Sequence, residues 1–498
     1  MRRFLFTIHR FLGAILSIFF LMWFISGLVL IYRGYPRFTK KEALMACDPL
    51  RPEALPAADS VAVMLARAGI DTLAPYELSL ENTLMGETVY TVSAGKNTIR
   101  MQPDGSIASE PKAVDEPYLH LLAKRWPNEE IVRIDTLHKL DVWTPFSRLR
   151  TDLPFYRLRL SGKEHRYLYV SSTTGKILSE STRSERFWAY VGAIPHWIYI
   201  TGLRQNIELW KNVVIWIAAF GCFMVITGLY AGIDVYVRTR SKKFRGLKSP
   251  YTKRRYRWHH LFGTLGGIFI LTWIFSGMMS LIDLPEWVTG VPADRPRVQL
   301  AGEQIPPHTF PADYRKVLKD YPETRRIIWT SFAGHTLMKI DNGEKEMVLD
   351  AGEKMATPLS LNQNECLASV KKAYDIEPEK VETMTRYDGY YHDRKGRLAL
   401  PVYKITLDDP YETVVYMDPA SDNYRIVDRE VRLNRWMFSK LHNLSFSNLT
   451  RYPWLWTLVM WVLLLTGVLV SATGVWMGVD YFRRITRKKK NKRKKSNH

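Results

Sequence analysis

Four stretches of this chain, Phe11–Tyr32, Val213–Ile233, Leu261–Ile282 and Leu455–Val479, are almost purely apolar. At about 1.5 Å rise per residue, roughly 20 such residues cross a hydrocarbon core, and each stretch has that length. Backbone inside a bilayer must satisfy its own hydrogen bonds, so runs of this kind become helices. The pattern predicts an α-helical membrane bundle of four transmembrane helices. The mean hydropathy of −0.18 looks soluble only because two long polar stretches, about 33–190 and 284–440, are averaged in.

A chain of 498 residues should hold several domains. The expected division is a first span at 1–33, an outer α+β domain at 34–186, and an interfacial helix with the second span at 187–237. A basic loop at 238–257 and the third span at 258–283 follow. A second outer α+β domain occupies 284–432, an interfacial helix with the fourth span 433–482, and a basic tail 483–498. In the first outer domain Ala58–Gly69 has an amphipathic helical pattern and Thr88–Ser93 alternates like a strand. Phe155–Leu160 and Arg166–Val170, followed by a Thr174-Gly175 turn, read as a hairpin. In the second, Gln363–Tyr374 reads as a helix, and Val402–Leu407 with Thr413–Met417 and an Asp418-Pro419 turn as a hairpin.

The net charge of +22 is concentrated. Residues 238–257 carry ten Lys and Arg and no acid, residues 483–498 carry ten more, and Arg2, Arg3 and Arg10 add three. All three clusters flank spans on one side, which the positive-inside rule makes cytoplasmic. Both termini are then expected in the cytoplasm of a bacterium, the protein in its inner membrane, and both polar domains in the periplasm. A basic run beside a span points to anionic lipid, not nucleic acid. The N-terminus reads as an uncleaved signal anchor, because its apolar run is too long for an ordinary signal peptide. The three cysteines, Cys47, Cys222 and Cys366, form no CxxC or CxxCH, which argues against zinc ribbons and covalent c-type haem. A bridge between Cys47 and Cys366 on the oxidising side is one option.

The chain also repeats itself, which predicts a tandem duplication. At an offset of 250, His9, Gly13, Ile18, Phe19, Leu21, Trp23 and Ser26-Gly27 match His259, Gly263, Ile268, Phe269, Leu271, Trp273 and Ser276-Gly277. At an offset of 246, His196, Trp210, Gly221, Thr227-Gly228 and Asp234 match His442, Trp456, Gly467, Thr473-Gly474 and Asp480. Apolar helices share Leu and Ile by chance, but not His, Gly, Trp and Asp in one register. The unit is span, outer domain, span, used twice in the same orientation, so equivalent residues should sit at equal depth on opposite sides of an axis along the membrane normal.

Of twelve histidines, only His9, His196, His259 and His442 belong to this repeat. His9 and His259 fall at the inner start of spans one and three. His196 and His442 fall on the outer side, on short interfacial helices expected at Trp188–Ile200 and Trp436–Leu444. Imidazole suits iron, copper and zinc, and zinc asks for about four ligands. Two trans imidazoles at each face are what a haem iron needs, since the porphyrin fills its other positions. Gly13 and Gly263, at i+4 from His9 and His259, leave a helix face open to a flat macrocycle, and Gly221, Gly228, Gly467 and Gly474 form small-residue faces for helix contact. Two b-type haems are therefore expected, one on His9 and His259 and one on His196 and His442. The plainer alternative is that these histidines cap or snorkel and the glycines serve packing alone. His260, opposite Arg10 in the repeat, is a supporting group at most. Trp23 and Trp273 read as packing residues. His120, His138, His165, His308, His335 and His392 lack metal spacing and read as surface residues.

At His9-Arg-Phe-Leu-Gly13, Trp258-His-His-Leu-Phe-Gly263, Leu433–Phe446 and Thr473–Gly478 the chain resembles the PepSY-associated transmembrane family. Tyr167–Lys176 and Tyr416–Tyr424 resemble the closing hairpin of a PepSY unit, although Asp422-Asn423 stand where glycine is usual. The resemblance implies periplasmic PepSY-like domains and, from some relatives, a dihaem electron-transfer protein that reduces a ferric siderophore. No dinucleotide fingerprint follows a strand, so an external donor is expected, either quinol or a cytoplasmic reductase. PepSY units also occur in inhibitory propeptides, which supports a different class of function: a membrane-anchored regulator or inhibitor of an extracytoplasmic protease, without redox activity.

Overall fold

All four apolar runs are helical over nearly their whole length, and each helix begins before its run; those of the first and third runs end two or three residues short of it. The computed structural model describes residues 2–70, 76–94, 97–108, 114–240, 249–295, 298–300 and 305–496. Its spans are α1 (Arg2–Leu30), α2 (Ile207–Arg240), α3 (Arg254–Met279) and α4 (Pro453–Ser496). The basic tail continues α4, because Lys and Arg are good helix formers once the chain has left the hydrocarbon. α1 packs on α2 and α4, and α3 packs on the same two, so α1 and α3 occupy opposite corners of a four-helix ring. Leu16, Phe20, Phe24, Met224, Ile270, Ile274, Met460 and Leu464 fill the centre. Outward-facing positions such as Ile18, Phe220, Ile268 and Val462 are exposed and equally apolar. A bundle that is apolar inside and out belongs in lipid. Close approach depends on small residues: a Cβ added at Gly221 would lie 2.8 Å from Phe20 Cζ, and one at Gly467 would lie 2.5 Å from Phe24 Cδ1.

At one end, the basic end, Asp234 receives Arg2 Nε at 2.8 Å and Asp480 receives Arg255 Nη1 at 2.7 Å. The polar segments sit at the other end. The first supplies β1 (Glu77–Asn82), β2 (Thr88–Ala94), β3 (Asn97–Met101), β4 (Ile131–Leu137), β5 (Phe155–Leu160), β6 (Tyr167–Ser171) and β7 (Ile177–Ser181). The second supplies β8 (Arg326–Phe332), β9 (His335–Asp341), β10 (Glu346–Asp350), β11 (Thr357–Pro358), β12 (Pro378–Met384), β13 (Val402–Leu407), β14 (Val414–Met417) and β15 (Tyr424–Val427). Strands β4–β7 form one antiparallel meander and β12–β15 another. The hairpins read at Phe155–Val170 and Val402–Met417 lie within them, and the helices read at Ala58–Gly69 and Gln363–Tyr374 are present as Ala58–Arg67 and Gln363–Tyr374.

The remaining strands form one seven-stranded sheet that runs through both segments, in the order β11-β10-β9-β8-β1-β2-β3. The seam is β1 against β8, antiparallel, with Leu80 opposite Ile327 and Leu78 opposite Trp329. Left apart, each half-sheet would present an apolar edge to water; joined, both edges vanish. A second tie crosses the seam, where the Tyr90 and Tyr314 hydroxyls meet at 2.8 Å and Tyr314 donates on to the Pro56 carbonyl. Tyr314→Phe leaves both partners unsatisfied in a buried site and should cost about 1–3 kcal/mol. The urea midpoint of the detergent-solubilised chain should fall accordingly, and an unmoved midpoint would show that the hydroxyl contributes nothing.

Both expected interfacial helices take other bounds, and the optional cysteine bridge is not formed. Trp188–Ile200 is not one helix. A capping box of Thr182 and Glu185 starts the helix earlier, over Arg183–Val191, and it breaks at Gly192 (φ −104°, ψ −92°) before a short turn Ala193–His196. Trp436–Leu444 is likewise replaced by a helix at Arg429–Asn434, capped by Asp428, that widens into a π-helical turn at Arg435–Lys440. Cys47 and Cys366 form no bridge: both are free and buried. Cys47 Sγ donates to the Ala43 carbonyl, whereas Cys366 lies in the core under β13 and β14.

Candidate functional site

His9 on α1 and His259 on α3 come from opposite corners of the ring and meet, with ring centroids 6.2 Å apart. His9 Nδ1 donates to the Met224 carbonyl at 3.0 Å, and His259 Nδ1 lies 3.1 Å from both the Val470 carbonyl and Thr473 Oγ1. At the sheet end, His196 and His442 are also 6.2 Å apart. His196 Nδ1 lies 3.2 Å from the Trp23 carbonyl and 3.1 Å from Ser26 Oγ; His442 Nδ1 lies 3.1 Å from the Trp273 carbonyl and 3.2 Å from Ser276 Oγ. Each serine hydroxyl in turn donates to the same tryptophan carbonyl.

The loops that carry His196 and His442 are held alike. The indole of Trp210 donates to the Trp197 carbonyl at 2.8 Å, and that of Trp456 to the Asn443 carbonyl at 2.9 Å. Two residues beyond each histidine the backbone turns left-handed, at Ile198 (φ 50°) and Leu444 (φ 47°). Such strain in non-glycine residues persists only where surroundings fix it, and it recurs at functional sites.

A carbonyl only accepts, so all four Nδ1 atoms carry the proton and all four Nε2 lone pairs are left for another partner. Among the described residues none of these Nε2 atoms forms a hydrogen bond. An imidazole oriented by a hydrogen bond from its second nitrogen to a carbonyl is how proteins prepare a histidine to bind a metal. Two imidazoles bound trans to one metal at about 2.0 Å would have centroids roughly 6 Å apart, as both pairs do. Among the described residues no three His, Cys, Asp or Glu side chains converge on one point, so each pair offers two such side chains and no third.

Each pair borders a cavity. The sheet-end cavity is about 600 Å³ and is lined by His196, His442, Trp23, Phe24, Ile274, Met460 and Leu464 in its depth. The basic-end cavity is about 460 Å³ and is lined by His9, His259, Gly13, Gly263, Met224 and Val470. Gly13 and Gly263 open onto it, an added Cβ finding its nearest neighbour at 3.8 and 3.9 Å. They are not against the imidazoles. Other glycines are: an added Cβ would lie 2.5 Å from His9 Cε1 at Gly228, 3.7 Å from His259 Cε1 at Gly474, 3.8 Å from His196 Cε1 at Gly27 and 3.4 Å from His442 Cε1 at Gly277. Gly228 makes room for the His9 ring, while at the other three positions a methyl group would sit in ordinary contact with the imidazole. In the sequence Gly228 and Gly474 signal only helix packing, and Gly27, Gly277, Ser26 and Ser276 carry no evident role, although all match in the repeat.

His260 holds Ser249 Oγ and the Gly232 carbonyl, each at 3.1 Å, and so has no free ring nitrogen. His335 is spanned by Asp350 and Glu365, and His308 accepts or donates to Tyr76. His392 is not a surface residue. It lines the sheet-end cavity, its Nε2 lies 2.6 Å from Thr450 Oγ1, and burial and then the nearby Arg435 guanidinium hold its pKa below the usual imidazole value.

The donor set therefore fits a group that takes two axial imidazoles and fills a flat apolar cleft. Neutral nitrogens, a glycine against each ring and an apolar cavity wall match an iron porphyrin and not a closed zinc site. Comparison with known families gives one finding: residues 72–477 match the model described as the PepSY-associated TM region. No curated protein matches the chain.

Proposed function

This chain belongs to the PepSY-associated transmembrane family, and from that premise and its two imidazole pairs we propose that it is a dihaem, b-type electron-transfer protein of a bacterial inner membrane, serving a periplasmic acceptor such as a ferric siderophore in iron acquisition. The reading rests above all on one observation. At both ends of the bundle two histidines from different helices or loops stand 6.2 Å apart with Nδ1 committed to a carbonyl. The matching partners on the two sides support a duplicated unit. The Lys and Arg distribution supports cytoplasmic termini and periplasmic sheets.

Haem at these positions supplies reversible one-electron chemistry, which suffices to turn Fe(III) in a chelate into the more weakly held Fe(II). The protein's share is binding, orientation and exclusion of water. His9 with His259, and His196 with His442, would hold the two groups. The Met224, Val470, Trp23 and Trp273 carbonyls fix the ring planes. Between the cavities Phe20, only 3% exposed, lines both, and Phe24 and Trp273 complete a dry aromatic partition. The donor lies outside the chain, as quinol or a cytoplasmic reductase.

The test is the visible spectrum of the purified full chain, with a pyridine haemochromogen assay. We expect about two b-type haems per chain and a sharpened α band on reduction with dithionite. A folded, colourless chain that takes up no haem would remove this reading and leave the outer domains as a membrane-anchored protease regulator.

A further inference from the structure

The two outer meanders begin their long connections in the same way and then diverge. In the first, Asp141 Oδ2 accepts from Tyr169 at 2.7 Å; in the second, Asp388 Oδ2 accepts from Tyr416 at 2.8 Å. Beyond this lock the β4–β5 connection turns Trp143 and Phe146 onto Tyr35 and Tyr199, and its charged residues, Arg148, Arg150 and Asp152, lie away from the sheet-end cavity. The β12–β13 connection instead runs through His392, Asp393, Arg394, Lys395 and Arg397, all of which line the sheet-end cavity, together with Arg435 from the π-helical turn. No described residue of the β4–β5 connection lines it. The cavity is thus amphipathic, with apolar depth between the imidazoles and a cationic mouth on one side only.

The mouth is under-compensated. Arg397 is paired with Asp393 at 3.2 Å. Arg394 and Arg435 have no carboxylate partner among the described residues. Arg394 lies over the Trp456 ring at 3.8 Å, and Arg435 Nη2 donates to the His392 carbonyl at 3.0 Å. Arg435 Nε and His392 Nδ1 are both buried without a partner. Partly buried guanidinium groups beside an apolar cavity are costly unless an anion joins them, and the planar fork of Arg suits a carboxylate. The partner is best taken from the occupant of the cavity itself. A b-type porphyrin is an apolar plate with two carboxylates on one edge, which is the polarity of this space.

We propose that Arg394 and Arg435, with His392 between them, form the carboxylate-binding edge of the sheet-end cavity and fix the porphyrin seated between His196 and His442 with its two carboxylates toward the β12–β13 connection. This rests on the haem reading above. It adds that the second outer segment alone orients the group, so the two halves have distinct tasks.

The test uses the full chain carrying His9→Ala and His259→Ala, purified without haem and titrated with protohaem IX or its dimethyl ester. The ester should bind at least about tenfold more weakly, the scale of one lost charge-assisted contact. Arg394→Gln or Arg435→Gln should weaken binding of the free acid to near that of the ester and leave the ester unchanged, and Arg→Lys should restore part of the difference. Equal binding of acid and ester overturns the proposal, as does a substitution that weakens both equally. If discrimination is absent while Arg394→Gln lowers ferric citrate binding, the cations serve a soluble anion and the assignment to the porphyrin edge is wrong. If neither porphyrin gives a bis-imidazole spectrum, it is the haem reading that fails.

Discussion

His442→Ala should remove about half of the b-type absorbance while the chain stays folded in the membrane. The imidazole is held at Nδ1 by the Trp273 carbonyl and Ser276, and its only uncommitted atom is Nε2. Deleting it would leave His196, 6.2 Å away by ring centroid, as the one imidazole of this pair facing the cavity. A haem that these two residues would hold would then have one protein ligand left, and a non-covalently bound group so weakened would be lost on purification. His196→Ala should match it, and His9→Ala or His259→Ala should remove the other half, because the pairs line separate cavities. Haem content by pyridine haemochromogen, with redox titration of what remains, measures this. Four variants with undiminished haem would mean that other ligands hold the metal, and the electron-transfer account would fall with them.

Leu80→Ala should destabilise both polar segments together, by about 2–5 kcal/mol. Leu80 is fully buried at the centre of β1, opposite Ile327 across the seam and Tyr90 on the other side. The same core contains Tyr314, Trp329 and Met338 from the second segment and Leu65 and Val92 from the first. A cavity there is shared, so limited proteolysis should open cleavage sites in both segments at the same urea concentration. Cleavage confined to the first segment would show that each folds by itself and that the seam is a contact rather than a common core.

The four spans were legible because hydrocarbon imposes length and composition on anything that crosses it. The histidine pairs were legible for a second reason: polar residues are expensive near lipid, so His, Gly and Ser recurring in one register stand out against Leu and Ile. The matching extended to Ser26-Gly27 and Ser276-Gly277, yet their contacts were not readable. The rings they touch come from His196 and His442, about 170 residues away, and only the fold brings them together. His392 has no repeat partner to mark it in the sequence, and its place beside the cavity depends on the distant Thr450 and Arg435. The single sheet through both segments escaped notice because strand alternation gives the face a residue occupies, not the strand beside it. The short helices at Trp188 and Trp436 were placed by apolar pattern, while the Thr182–Glu185 cap and the break at Gly192 govern where the first begins and ends.

The β1–β8 seam also sets a timetable. Roughly 250 residues separate Glu77 from Arg326, and at synthesis rates of about 5–20 residues per second the earlier strand waits roughly 10–50 s for its neighbour to be made. During that interval β1 is an unpaired apolar edge, the kind of surface on which chains aggregate. The exposed edge is therefore a hazard of this chain's synthesis, and it ends only when the second segment emerges and β8 covers β1.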